Sequence, residues 1–270
     1  KKNNIEFVPL VLNLDGENIE DDLGKSLGYR EFYDKLREGS MPSTSQINIY
    51  TFEKKFRELL NEGYEILYVG LSSALSGTFN SANMARNNIL EENPNAKISV
   101  VDSLSVSMGV GMLVKKSCDM IEEGKDLEYI TTWIEENKNK VIHSILVDDL
   151  KHLKRGGRIS ASTAAVGSLL NIKPILKIDN NGAVEATEKI KGKKKALKYL
   201  ATVVKEKALN IESETLYIMH GDALEEAQAL KDIILQELNF KEIKIQYIGT
   251  VIGSHGGPGT IATIFWGNER

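Results

Sequence analysis

The sequence predicts an α/β protein with two domains. One is an N-terminal parallel sheet covered by helices, the other a C-terminal mixed-sheet α+β domain. Three observations carry this. Apolar strand runs alternate with helical patterns through the first half. A hairpin signal, Asn180-Asn181-Gly182, breaks that alternation in the second half. The chain has 270 residues, enough for one large domain or two modest ones, each with a core.

In order, Phe7 to Leu14 reads as a strand, with Pro9 marking an edge or irregular start, and Asp15-Gly16 turns the chain. A short helix is expected around Glu31 to Arg37. The loop Pro42-Ser43-Thr44-Ser45-Gln46 is rich in hydroxyls. Phe52, Phe56, Leu59 and Leu60 then recur at helical spacing, with Gly63 at the stop. Tyr64 to Leu71 is a strand that feeds a second hydroxyl-rich loop, Ser72 to Thr78, and Phe79 to Leu90 is the helix after it. Ile98 to Ser103 is a strand. Helices follow through Val106 to Ile121 and from Leu127, the latter with Asp126 as N-cap.

From Ile142 the pattern changes. A strand to Val147 precedes a basic loop, Leu150 to Ile159, and a helix of small residues is expected over 160–170. Pro174 to Asp179 and Ala183 to Ile190 flank Asn-Gly, whose preference for positive φ suits a type I′ turn. Helix 193–207, strand 215–220, helix 224–238 and strand 243–248 lead to a glycine-rich loop, 253–259, and a last strand, 261–266. The boundary falls at 141/142, giving domains 1–141 and 142–270.

Composition removes several function classes. A net charge of −4 argues against nucleic acid as the main partner. One cysteine, Cys118, fits a reducing compartment and excludes an internal disulfide. No apolar run approaches the roughly 20 residues of a membrane span, and no signal peptide shows. Cytoplasmic location is expected, with at most transient membrane contact. Four histidines and one cysteine without paired spacing give no zinc site. Neither a P-loop nor a Gly-x-Gly-x-x-Gly occurs, so nucleotide phosphates lack an obvious cradle. No cofactor is expected.

Ser76, His255 and Asp102 suggest a hydrolase, but Gly70-Leu71-Ser72-Ser73-Ala74 lacks the second glycine of a nucleophile elbow. The recurring feature is instead a neutral donor at a turn: Thr44, Ser76 and, beside glycines, His255. Such groups suit a carboxylate held without a full counter-charge. A plain capping turn competes with this reading at Ser72 to Thr78, and a structural hydrogen-bond role competes at His255. Arg155-Gly156-Gly157-Arg158 allows the backbone to approach an anion between two guanidinium forks, or is a helix-entry turn with solvated arginines.

Four blocks carry a resemblance. Pro42 to Gln46, Ser72 to Thr78, Leu153 to Ser160 and Gly253 to Gly259 resemble, in order, motifs of the DegV family, with Val101-Asp102-Ser103 between the second and third. The resemblance spans essentially the whole chain. It implies a two-domain fold and a long-chain fatty acid buried between or beneath the domains. It also implies a non-catalytic role, as the lipid-carrying subunit that presents the carboxyl group to a separate ATP-binding fatty acid kinase subunit. By motif, the carboxylate ligands would be Thr44, Ser76 and His255. Arg158 and Arg155 would contact the head group or the partner. Family members open with a strand ending in Asp-Ser-x-x-Asp-Leu. That motif does not occur here, so the first sheet is expected to lack that strand. A phosphotransferase or serine esterase of related fold, and a lipid-responsive regulator without a kinase partner, remain as alternatives. Phe79, Met84, Met108, Met112, Leu169 and Leu170 are candidates for lining the acyl tunnel or for plain core packing.

Overall fold

The computed structural model describes residues 5–159 and 171–270, so the helix expected over 160–170, with Leu169 and Leu170, lies outside the described residues. Strand β1 (Val11–Leu14) turns at Asp15-Gly16 into β2 (Glu17–Glu20), which pairs with it antiparallel. Helix α1 (Tyr29–Arg37) buries Phe32, Tyr33 and Leu36 against Leu12 and Leu14 of β1. Strand β3 (Ser43–Ser45) pairs antiparallel with the other edge of β1, completing a three-stranded sheet. The expected hydroxyl loop at 42–46 thus contains a short strand. Its three residues have no apolar pattern to announce it.

Helix α2 (Ile49–Asn61) begins at Asn48, whose side chain accepts from the Thr51 N–H. The expected strand–helix alternation follows as β4 (Ile66–Gly70), α3 (Thr78–Glu92) and β5 (Ile98–Asp102). Strands β4 and β5 pair in parallel. Phe52, Phe56, Ala82, Ala85 and Ile89 of the two preceding helices pack with Ile66 and Ile98 on this pair. Helices α4 (Met108–Glu122) and α5 (Leu127–Asn137) come next, α5 capped by Asp126 as expected.

The second half builds a six-stranded mixed sheet. Its strands are β6 (Val141–Leu146), β7 (Ile172–Ile178), β8 (Val184–Lys191), β9 (Thr215–His220), β10 (Glu242–Tyr247) and β11 (Ile261–Trp266). Their order across the sheet is β10-β9-β11-β6-β7-β8, with β9 and β10 parallel and the other pairs antiparallel. Alternation divides the sheet's two faces. Ile142, Leu146, Leu216, Ile218, Ile261 and Phe265 pack under α7 (Lys193–Lys207) and α8 (Leu224–Leu235). Tyr217, Met219, Ala262 and Ile264 point the other way and meet Met112, Leu113 and Ile134 of α4 and α5. Helices from before residue 141 therefore share a core with this sheet.

Two local expectations are corrected. The basic stretch 150–159 is not all loop, because Lys151–Arg155 forms a helical turn, α6. The hairpin turn is not type I′. Among its residues only Gly182 has positive φ, at 80°. Gly182 N–H donates to the Asp179 carbonyl, while the Asp179 carboxylate accepts from the N–H groups of Asn181 and Ala183. The side chain of Asp179 thus stabilises a type I turn followed by a left-handed glycine. The Gly-rich stretch after 249 likewise starts as a helix, α9 (Thr250–Gly256), which carries His255 in its last turn.

Candidate functional site

A cavity of about 970 Å³, its mouth included, lies on the α4-facing side of the six-stranded sheet. Ile145, Leu176, Ile178, Val184, Met219 and Ile264 give it an apolar wall, closed by Leu71, Leu75, Leu153, Val251 and Ile252. None of Phe79, Met84, Met108 or Met112 lines it. Met112 packs in the shared core and Met84 is exposed. The sheet's own alternate residues make the wall, and periodicity of the first-half helices does not report that.

Thr44, Ser76, Arg158 and His255 also line the cavity. Each arrives by a separate local cause. In β3 the side chains alternate, so Ser43 and Ser45 are exposed while Thr44 turns inward. Thr44 Oγ1 lies 2.9 Å from His255 Nε2. His255 rests on Gly156, where a Cβ would fall 2.1 Å from its Nδ1. The Arg-Gly-Gly-Arg stretch thus supplies a shelf for the imidazole. Burial, with Arg158, Arg155 and His152 beside it, pushes the His255 pKa down to about 4. The ring is neutral at pH 7.

Ser76 Oγ sits 2.9 Å from Thr78 Oγ1, and Thr78 Oγ1 also accepts from the Ile47 N–H. The Ser76 loop is therefore tied to the chain just after β3, next to Thr44. Gly77 allows this approach, since a Cβ there would meet Gln46 Oε1 at 2.0 Å. Arg158 reaches across: its Nε donates to the Leu75 carbonyl at 3.0 Å, and its Nη1 donates to the Gly156 carbonyl. Arg155 stands near His255 but does not line the cavity. It is exposed, with Nη2 3.2 Å from His152 Nδ1.

The other hydroxyls of the loop face elsewhere. Ser72 is fully buried and donates to the Gly182 carbonyl of the hairpin turn. Asp102 accepts from the N–H groups of Ser73 and Leu104. Ser76, His255 and Asp102 are thus each committed to a different neighbour, not to one another. Among the described residues no group of His, Cys, Asp or Glu is placed to hold a metal ion, and no helix is long and apolar enough to cross a membrane.

Sequence reasoning missed four contributors. Gly156 and Gln46 matter only through contacts across the fold. Asp21 accepts from Val251 N–H at the start of α9, 230 residues away in sequence. His143 lines the cavity from within β6. The Gly-Gly pair between the arginines was the one visible signal, and it pointed to close backbone approach.

Fold and site together define a mixed α/β protein with a mostly apolar cavity lined also by Thr44, Ser76, Arg158 and His255. The profile of the DegV family of uncharacterised proteins matches residues 1–267. A DegV domain-containing protein of Clostridium perfringens is 44% identical over 266 residues, covering 98% of this chain and 91% of that one. A DegV family protein of Thermus thermophilus, described as fatty-acid binding, superposes with a TM-score of 0.88 at 32% identity, covering 99% and 93% of the two chains. The fatty acid kinase B3 protein of Streptococcus pneumoniae, solved loaded with linoleic acid, gives a TM-score of 0.82 at 25% identity over 97% and 90%. The chain belongs to the DegV family.

Proposed function

We propose that this protein binds a long-chain fatty acid in the cavity and presents its carboxyl group to a separate ATP-using kinase subunit, itself doing no chemistry. The observation that carries the reading is the cavity itself, a mostly apolar chamber in whose lining Thr44 and His255 meet and Ser76 and Arg158 also stand. The fatty acids bound by its structural relatives support it.

With a proton on Nε2, neutral His255 donates to Thr44 Oγ1 and leaves the Thr44 O–H free to donate to a carboxylate. Ser76 supplies a second hydroxyl by turning from Thr78. Arg158, half-buried beside both, adds positive charge for the head group or for a partner that reacts with it. Arg155, exposed on α6, is a partner contact and not a ligand. We place the protein in the cytoplasm, in a two-domain frame divided near residue 141, with membrane contact no more than transient.

Native mass spectrometry of the protein as purified tests the first half of the reading. A co-purifying mass in the fatty-acid range is expected. Reconstitution with an ATP-binding partner captured from extract tests the second, with ATP-dependent turnover of the bound acid as readout. Purified protein that neither carries nor takes up a fatty acid would sink the proposal.

A further inference from the structure

The cavity also reaches Ser107, which precedes α4, and His143 on β6. Ser107 holds φ 53° and ψ −132°, a conformation that glycine adopts freely and an L side chain only under strain. Its hydroxyl does not cap the helix and makes no hydrogen bond among the described residues. The preceding residue, Val106, offers its carbonyl to His143 Nε2 at 3.2 Å. A carbonyl only accepts, so Nε2 carries the proton of the neutral ring and Nδ1 keeps a bare lone pair. His143 is 2% exposed, and its Nδ1 has no hydrogen-bond partner among the described residues. Helix α4 pins the ring, because a Cβ at Gly109 would lie 2.3 Å from Nε2.

A buried ring nitrogen without a partner and a half-buried hydroxyl thus stand in a mostly apolar wall, and the buried nitrogen is costly unless something satisfies it. Ser107 can donate or accept, and His143 Nδ1 can only accept. The complementary group is a hydroxyl. His143 is separated from Val147, which packs with Leu153 near the Gly156 shelf, by about 13 Å of strand. The His143 ring is therefore set along β6 from the shelf that carries His255, with Ser107 following the Val106 carbonyl that it contacts. We propose that Ser107 and His143 form a second, polar subsite that takes a hydroxyl borne on the hydrocarbon chain, so that the cavity prefers hydroxylated long-chain fatty acids over unsubstituted ones. This rests on the fatty-acid reading above.

The test is competition binding to delipidated protein, using octadecanoic acid against a set of hydroxyoctadecanoic acids that differ in hydroxyl position. A preference of about five- to tenfold for one hydroxyl position is expected, the worth of one net hydrogen bond. Ser107→Ala should bring that ratio to about one. Ser107→Gly should do the same while raising the melting temperature, since it relieves the backbone. If octadecanoic acid binds and every hydroxy acid binds no better, the subsite is overturned and the fatty-acid reading stands. If no acid binds, both fall.

Discussion

Thr44 Oγ1 and His255 Nε2 lie 2.9 Å apart across 211 residues of sequence, and neither belongs to a long regular element. Thr44 sits in a three-residue strand and His255 in the last turn of a seven-residue helix. What fixes the pair is contact from outside: Gly156 beneath the ring, and β1 beside the strand.

Retention of the ligand and its presentation should separate at Ser76. Burying about 14 methylenes at roughly 0.8 kcal/mol each gives on the order of 11 kcal/mol before ordering costs. One hydroxyl contributes about 1 kcal/mol. Ser76→Ala is therefore expected to co-purify with lipid nearly as well as the parent, with affinity reduced no more than about tenfold. Phosphorylation of the bound acid by a kinase partner should fall further. Mass spectrometry and a single-turnover kinase assay check the two halves. Loss of lipid from a folded Ser76→Ala protein would reverse this division of labour.

Gly156 provides a steric test. Its φ of −71° is open to any residue, so alanine there meets no backbone strain. The added Cβ would nevertheless fall 2.1 Å from His255 Nδ1. Either the ring or α6 must move. Gly156→Ala should lower stability by about 1–3 kcal/mol and speed fatty-acid dissociation, measured by urea unfolding and by exchange with a fluorescent acid. Wild-type exchange kinetics in this variant would show that the His255–Thr44 contact does not position the ligand.

Much of this site was legible because turn chemistry is local. Two loops dense in Ser and Thr, and a Gly-Gly between arginines, announce themselves in any sequence window. Helix 193–207 and strands 215–220 and 261–266 were readable to the residue, because apolar periodicity and breakers agree there. Strand β3 was not, since Ser-Thr-Ser carries no apolar alternation. The choice of Ser76 among four hydroxyls in 72–78 came from the motif alone, and the contact that commits Ser72 lies on a hairpin more than 100 residues later, at Gly182. The hairpin itself misled because the Asp179 side chain, two residues before Asn181, overrides the Asn-Gly preference. Long-range contacts decide such cases.

Acid should destabilise the protein through its histidines. Burial pushes His143 down to about 3 and His255 to about 4, and it lowers His152 and His220 in the same direction. The unfolded chain takes up protons near pH 6.5, where the folded one does not. Stability is therefore fully present above about pH 6.5 and falls as pH drops toward 4, by about 1.4 kcal/mol per pH unit for each fully shifted group. A bound carboxylate beside His255 raises its pKa and removes part of that loss. Melting temperatures from about pH 7.5 to about 5 should fall more steeply for delipidated protein than for the loaded form. Parallel curves would place the carboxylate away from His255.

Asp21 offers the last test, because it reaches the site only through α9. Its Oδ2 accepts from the Val251 N–H at 3.1 Å, doing from the β2 side what the helix's own cap residue, Gly249, cannot do without a side chain. Gly249 is small enough to admit it, since a Cβ there would sit 3.0 Å from the same oxygen. Burial raises the Asp21 pKa, and the hydrogen bonds from Val251 and Thr250 oppose that shift. Asp21→Ala strips the start of α9 of its acceptor and should cost about 1 kcal/mol, the usual worth of a cap. Asp21→Asn keeps an acceptor oxygen and should restore most of it. If α9 is what holds His255 against Thr44, the alanine variant also loses fatty acid faster, and the asparagine variant does not. Thermal melts with dissociation rates on the same samples separate the two effects. An alanine variant that is destabilised but exchanges lipid at the parental rate would confine Asp21 to a purely structural cap.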